Sequence, residues 1–259
     1  MLYSKEDKFD CENMIEEGRF ILPIQVPIHM VDSRVEMTPV SLFCILQESA
    51  AAHCDQFHLS GIDLKPYGLF WVLTRMHVQI ERMPCWHEKL TIQTWEKPHS
   101  FISQPRDYMV YDEKGEVIVR GTSIWAIIDK ESKPVKLEDF DRPDRFPLKD
   151  DAMTVKAFPR LPGAPLPENP VLHKVQHSDI DLNEHVNNTK YLQWVMDDMG
   201  HDFFLHHDVK EVSVHFISQL FPNDQYSISH QSIDENSSVH SIYAADDQRE
   251  VCRIWMKVE

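Results

Sequence analysis

The stretch HSDIDLNEHVNNTKYLQW, residues 177–194, is the densest polar cluster in the chain and stands where an extended segment turns into a helix. Asp181, Asn183 and His185 fall at i, i+2 and i+4, so an extended or looping backbone projects their side chains to one side. Asn187 and Asn188 follow as a helix cap, and the first helical turn offers backbone N–H groups that lack intrahelical partners. Asp/Asn-rich loops before helices ordinarily serve only as turns and caps, so spacing alone favours that bland reading. A carboxylate, an amide, an imidazole and a helix N-terminus nonetheless form a set suited to hydrolysis of an activated carbonyl.

The balance shifts because the loop occurs twice. Asp32 precedes Leu46 by 14 positions and Asp181 precedes Val195 by 14, an offset of 149. That offset lays Asp32, Arg34, Glu36 and Thr38 on Asp181, Asn183, His185 and Asn187. Both copies hold the acid, and only the second holds the amide and imidazole, as expected of a duplicated enzyme with one active half. The element order repeats as well. Phe20, Leu22, Ile24, Val26 and Ile28 alternate with Pro23 and Pro27 on the other face, which predicts a half-buried strand near a sheet edge. Thr38-Pro39 starts a helix with Leu42, Ile45, Leu46, Ser49, Ala50 and His53 inward. Period-two segments follow over Trp71–Ile80 and Lys89–Trp95. A hairpin turning at Asp112–Gly115 then leads to Val117, Val119 and Ser123–Ile128. In the second half His173–Ser178 reads as extended, Asn188–Met199 as a helix stopped by Gly200, and Val212, Val214 and Phe216 as a strand. A last hairpin turns near Asp246–Arg249. A helix followed by antiparallel strands in each half predicts an α+β architecture, one helix against one curved sheet per half.

The chain has 259 residues, which at roughly 150 residues per domain is between one and two domains. Of its 16 prolines, half lie between Pro134 and Pro170. This predicts a domain over residues 1–135, a proline-rich linker over 136–170 and a second domain over 171–259. With 42% hydrophobic and 26% charged residues there is ample material for a core, and the net charge of −16 disfavours nucleic-acid binding. Apolar runs such as Ser123–Ile128 fall far short of the roughly 18 residues that cross a bilayer. The charged N-terminal segment lacks the apolar stretch of a signal peptide, so a cytoplasmic location without stable membrane association is expected. The five cysteines, Cys11, Cys44, Cys54, Cys85 and Cys252, show no CxxC spacing and read as reduced structural thiols. His173/His177 and His206-His207 lack an HExxH or cysteine companion, so no metal is expected. Phe70, Trp71, Trp86, Trp95, Trp125 and Trp194 read first as packing residues.

SDIDLNEHVNNTKYLQW closely resembles the active-site segment of acyl-acyl carrier protein (acyl-ACP) thioesterases, the fatty-acid chain terminators of bacteria and plastids. Their pattern is S-D-x-D-x-N-x-H-V-N-N-x-x-Y. LFWVLTRMHVQIERMPCWHEKLTIQTW (69–95) and YDEKGEVIVRGTSIWAIID (111–129) resemble the family's N-terminal half, so the resemblance covers nearly the whole chain. It implies two fused hot-dog folds, each a long helix wrapped by an antiparallel sheet. It also implies a hydrolase, without cofactor, that releases free fatty acid from acyl-ACP and so terminates elongation.

By that resemblance Asp181, Asn183 and His185 form the catalytic loop, Asn187 and Asn188 lie by the substrate carbonyl, and the first half shapes the acyl pocket. The family's further glutamate is replaced by Gln219, and the cysteine that follows it in plant-type members is replaced by Leu220. A cysteine nucleophile at that site is therefore excluded, and Gln219 can hold a water or the substrate but cannot take a proton. The implied reaction is direct attack by water, with Asn183 and helix-start amides polarising the carbonyl and either Asp181 or His185 accepting the proton. An acyl-CoA thioesterase and a non-catalytic acyl-binding protein are the alternatives, the second suggested by Gln219. Hot-dog dehydratases match the HVNN helix start less well. The implied partner is an acidic carrier protein bearing an acyl-phosphopantetheine arm, which needs a local basic surface. Lys130, Lys133, Lys136, Arg142, Arg145 and Lys149 are its candidates, although acids are interleaved among them. A double hot-dog already contains the paired sheets that single copies obtain by dimerising, so a monomer or homodimer is expected.

Overall fold

Thr38 starts a helix as its sequence requires: its Oγ1 accepts the Ser41 N–H at 3.1 Å, and Pro39 occupies the first helical position, where no N–H is needed. This helix, α1 (Pro39–Gln56), buries Leu42, Ile45, Leu46, Ser49, Ala50 and His53, the stripe predicted from spacing. A short helix α2 (Gly61–Leu64) follows. In the second half Asn187 Oδ1 accepts the Thr189 N–H at 2.9 Å and starts α3 (Asn188–Met199). Gly200 ends α3 at φ 86°, a conformation open to glycine, and α4 (His201–His206) follows. The computed structural model describes residues 14–141, 145, 147–153, 158 and 160–259. Cys11, Arg142 and parts of the predicted linker lie outside the described residues.

The first half contributes β1 (Ile15–Glu16), β2 (Arg19–Gln25), β3 (Phe70–Ile80), β4 (Lys89–Glu96), β5 (Gln104–Tyr111) and β6 (Val117–Ile128). The second contributes β7 (His173–Lys174), β8 (Val209–Phe216), β9 (Gln225–Ser232), β10 (Ser237–Ala244) and β11 (Glu250–Val258). The two expected sheets are one antiparallel sheet of order β1-β2-β4-β5-β6-β3-β8-β11-β10-β9-β7. Its seam is the β3–β8 pair, in register from Arg75–His215 to Gln79–Glu211. At the seam Glu211 Oε1 lies 2.6 Å from His77 Nε2 and accepts from Gln79 Nε2 at 3.1 Å. One core, including Leu46, Met76, Val78, Val195, Val214 and Ile254, continues across both halves.

Two expectations change. The strand from Phe20 ends at Gln25, because the Val26 carbonyl accepts from His87 N–H, one residue out of register, and Pro27 has no N–H to pair; Ile28 is 60% exposed in a 3-10 turn. That strand does stand near the sheet edge, beside only the two-residue β1, and pairs to β4 with Pro23 opposite Thr91. Only His173 and Lys174 of the segment predicted extended are a strand, since Asp179 Oδ2 accepts the Gln176 N–H at 2.7 Å and turns His177–Asp179 into a 3-10 helix.

The described part of the linker is bound to the outer face of the sheet. Trp95 Nε1 donates to Asp150 O, Ala152 N–H to Asp107 Oδ2, Arg253 to Leu161 O, and the Tyr243 hydroxyl to Ala164 O. Arg145 is withdrawn from any basic surface, because its buried guanidinium is held by Glu96 Oε2. Among the described residues no helix is long and apolar enough to cross a membrane. Val35, exposed and β-branched, sits at φ 67°, a strained conformation for its side chain. Val35→Asn is expected to stabilise the fold by about 1 kcal/mol, read as a higher denaturant midpoint at unchanged m.

Candidate active site

The two loops aligned by sequence have one geometry. Asp181 Oδ1 accepts the N–H groups of Asn183 at 2.8 Å and His185 at 3.3 Å, and the Asp181 N–H donates to His185 O at 2.9 Å. Asp32 Oδ1 accepts from Arg34 at 2.8 Å and Glu36 at 3.3 Å, and its N–H donates to Glu36 O at 2.8 Å. Bridges Ile180–Val186 and Val31–Met37 close both loops, and Glu184 and Val35 both take positive φ. The acid common to the two copies therefore shapes the turn. The side chains at 183 and 185 are free to differ. In the first copy Arg34 reaches Asp208 at 2.6 Å, Glu36 at 3.1 Å and Asp32 at 3.5 Å, so a charge cluster stands where the second copy has an amide and an imidazole.

Asp181, Asn183, His185, Asn188 and Gln219 all line one cleft of about 440 Å³ between the halves. Trp71 and Leu73 of β3, with Tyr191, Phe216 and Phe221, add apolar wall. Asn183 Oδ1 is buried there without a hydrogen-bond partner, a costly state that a ligand donor relieves. His185 packs edge-on against Phe221 with centroids 5.1 Å apart. Burial holds its pKa below the usual histidine value, against the opposing pull of Asp181 and Glu184, so the imidazole is neutral at pH 7.

Asn187 does not join this wall. Its Oδ1 accepts both the N–H and the hydroxyl of Thr189, and its own N–H donates to Asp179 O at 2.8 Å. The Val186 N–H is likewise taken, by Leu220 O. Of the expected helix-start amides, that of Asn187 is thus committed to the fold, as are its neighbours at 186 and 189, and the side-chain amides of Asn183, Asn188 and Gln219 are further cleft groups beside the Asn188 N–H. Asn188 Nδ2 also donates to Gln47 Oε1 on α1 at 3.3 Å.

The Gln219 segment is held from three sides. The buried Leu220 donates its N–H to the Tyr191 hydroxyl at 3.2 Å and accepts from Val186. Arg249 donates to Ser218 Oγ at 3.2 Å and to Gln219 O at 3.3 Å. Sequence reasoning missed Arg249, which stood in an ordinary-looking hairpin turn, and gave Tyr191 no role although it closes the motif. In the first half Met37 N–H meets Pro84 O in the same way, which puts Met83 in the place of Gln219.

Trp86 departs from the core reading, being 43% exposed against His87, whereas Trp194 stacks on Tyr226 at 3.9 Å as packing. His173 stacks on Tyr226 and His207 Nδ1 donates to Phe203 O. Among the described residues no three His, Cys, Asp or Glu side chains are grouped to hold a metal.

The family model for the acyl-ACP thioesterase N-terminal domain matches residues 19–139, and that for the C-terminal domain matches residues 168–257. The chain is 27% identical over 197 residues to an oleoyl-acyl carrier protein thioesterase 2 of Arabidopsis thaliana, covering 70% of this chain and 54% of that protein. It is also 27% identical over 224 residues to an oleoyl-acyl carrier protein thioesterase of Coriandrum sativum, covering 76% and 58%. It thus spans little more than half the length of these curated relatives. Its fold matches an acyl-ACP thioesterase from Bacteroides thetaiotaomicron at TM-score 0.83 and 21% identity, over 93% of this chain and 98% of that one. It matches a 12:0-ACP thioesterase from Umbellularia californica at TM-score 0.81 and 17% identity, over 95% and 98%. These likenesses establish the double hot-dog architecture.

Tyr191→Phe removes the acceptor of the buried Leu220 N–H and is expected to cost about 1–3 kcal/mol of stability in denaturant titration.

Proposed function

We infer the reaction from a premise that the two family matches establish: the chain belongs to the acyl-ACP thioesterase family. The proposed activity is hydrolysis of the thioester of fatty acyl-ACP, releasing free fatty acid. The observation that carries it is the convergence of Asp181, Asn183, His185 and Gln219 on one cleft, whose counterpart in the other half holds Asp32, Arg34 and Met83.

In this reading water attacks the thioester carbonyl directly, since a thiolate leaves readily. Gln219 and Asn183 orient the water and the carbonyl through their amides. His185, neutral in its half-buried setting, takes the proton. Asp181 holds the loop through Oδ1, and its charge favours the imidazolium that forms. Residues 1–135 act as the acyl-pocket half and 171–259 as the catalytic half, joined by 136–170. The carrier protein approaches the wall at Ser132, which stands between Lys130 and Lys133 along the chain. A second reading, a non-catalytic acyl-binding protein, draws on Gln219, and an acyl-CoA hydrolase shares the same cleft chemistry.

The test is thiol release from a panel of acyl-ACP and acyl-CoA esters of varied length. Hydrolysis of carrier-protein esters supports the proposal. Preference for CoA esters moves the substrate, and acyl binding without thiol release replaces the enzyme by the binding protein. His185→Ala is expected to lower kcat about a hundredfold to ten-thousandfold.

The acid limb of kcat/KM is expected below pH 6.5, because burial lowers the His185 pKa. Asp181→Asn keeps an Oδ1 acceptor for the loop but removes the charge that raises that pKa, so the limb is expected to move lower still while the fold survives. If Asp181→Asn instead abolishes turnover and the limb together, Asp181 is the base.

A further inference from the structure

The halves also differ at the far end of their sheets, away from the cleft. Val26 N–H donates to Glu88 O, and Val175 N–H donates to Asp224 O, both at 2.9 Å, so β4 and β9 align at an offset of 136. Thr94 and Glu96 then correspond to His230 and Ser232. Cross-strand pairing of Glu96 with Arg106 and of Ser232 with Ser238 matches Arg106 to Ser238 and Tyr108 to His240.

In the first half a side chain fills this space. Arg106, 2% exposed, reaches Glu96 at 2.9 Å, Thr94 at 3.2 Å and His53 on α1 at 2.9 Å, and Arg145 closes over Glu96. In the second half serines replace both members of the ion pair, and α3 has 12 residues where α1 has 18. The outcome is a cavity of about 330 Å³ walled in part by Ser232, Ser238, His230 and His240. Asp198, Asp234 and Glu235 also line it, whereas no lysine or arginine among the described residues does.

His240 is 1% exposed, with Nε2 2.9 Å from Ser238 Oγ and Nδ1 buried without a hydrogen-bond partner. Burial and the neighbouring His230 push its pKa down to about 4, so the ring is neutral. With the proton on Nε2 donated to Ser238, Nδ1 is an unpartnered acceptor on a residue of the cavity wall.

We propose that this cavity binds a small guanidinium compound in the space that the Arg106 guanidinium fills in the other half. The ligand's N–H groups meet His240 Nδ1 and the serine hydroxyls. Its charge is met by the three carboxylates and by the C-terminal end of α3, where Asp198 and Met199 line the wall. The site is independent of the catalytic cleft.

The test is titration of the purified protein, its histidine rings isotope-labelled, with agmatine and with its neutral ureido analogue carbamoylputrescine. Agmatine is expected to shift the His240 and His230 ring resonances saturably and to raise Tm, and carbamoylputrescine to do neither. Ser238→Leu, which fills the cavity, is expected to abolish the shifts, and Asp198→Asn to weaken binding several-fold. Folding of each variant is checked by circular dichroism. Absence of saturable shifts in the wild type up to about 10 mM agmatine overturns the proposal. An equal response to the ureido analogue, or binding that persists in folded Ser238→Leu, also overturns it.

Discussion

Everything in this molecule hangs on the pairing of β3 with β8. Each half is a helix against an open sheet, and an open sheet leaves a row of unpaired N–H and C=O groups at its edge. Joining the two inner edges satisfies those groups, makes a single sheet and lets one core run beneath both helices. It also brings the loop before each helix to the neighbouring half. The cleft holding Asp181, Asn183 and His185 takes a wall from β3, and the Asp32 loop is tied through Arg34 to Asp208 of the second half. The site is therefore a property of the joined halves.

The duplication separates what the loop needs from what the chemistry needs. An aspartate whose Oδ1 gathers two backbone N–H groups is present in both copies, because the turn requires it. What differs are the side chains that the turn presents. Arg34 turns its copy into an ion cluster, while Asn183 and His185 line a cleft in the other. Three carboxylates around Arg34 leave that cluster acidic, unsuited to stabilising an oxyanion. The neutral His185, by contrast, sits beside the Asp181 charge that favours its protonated form.

A similar divergence runs through the far ends of the sheet. The first half buries Arg106 with Glu96 and Arg145, a set in which each charge depends on the others, since an unpaired buried ion is costly. Arg145 belongs to the linker, so this cluster fastens the proline-rich connection to β4 and β5. The second half has lost the ion pair and keeps a histidine pair with serines.

The motif over residues 177–194, the offset of 149 and the inward stripe of α1 were legible in the sequence, because caps, turns and helical periodicity depend on near neighbours. Those local rules determined the α+β class, the duplication, the limits of α3 and the grouping of Asp181, Asn183 and His185. They were silent on partners distant along the chain. Tertiary structure alone decided that Asn187 is spent on its own cap, that Arg249 and Tyr191 fix Gln219, and that Arg145 is buried rather than exposed in a basic patch. It also decided that the two sheets are one. These outcomes depend on which backbone donors and acceptors meet across the folded chain, and no spacing along the sequence encodes that.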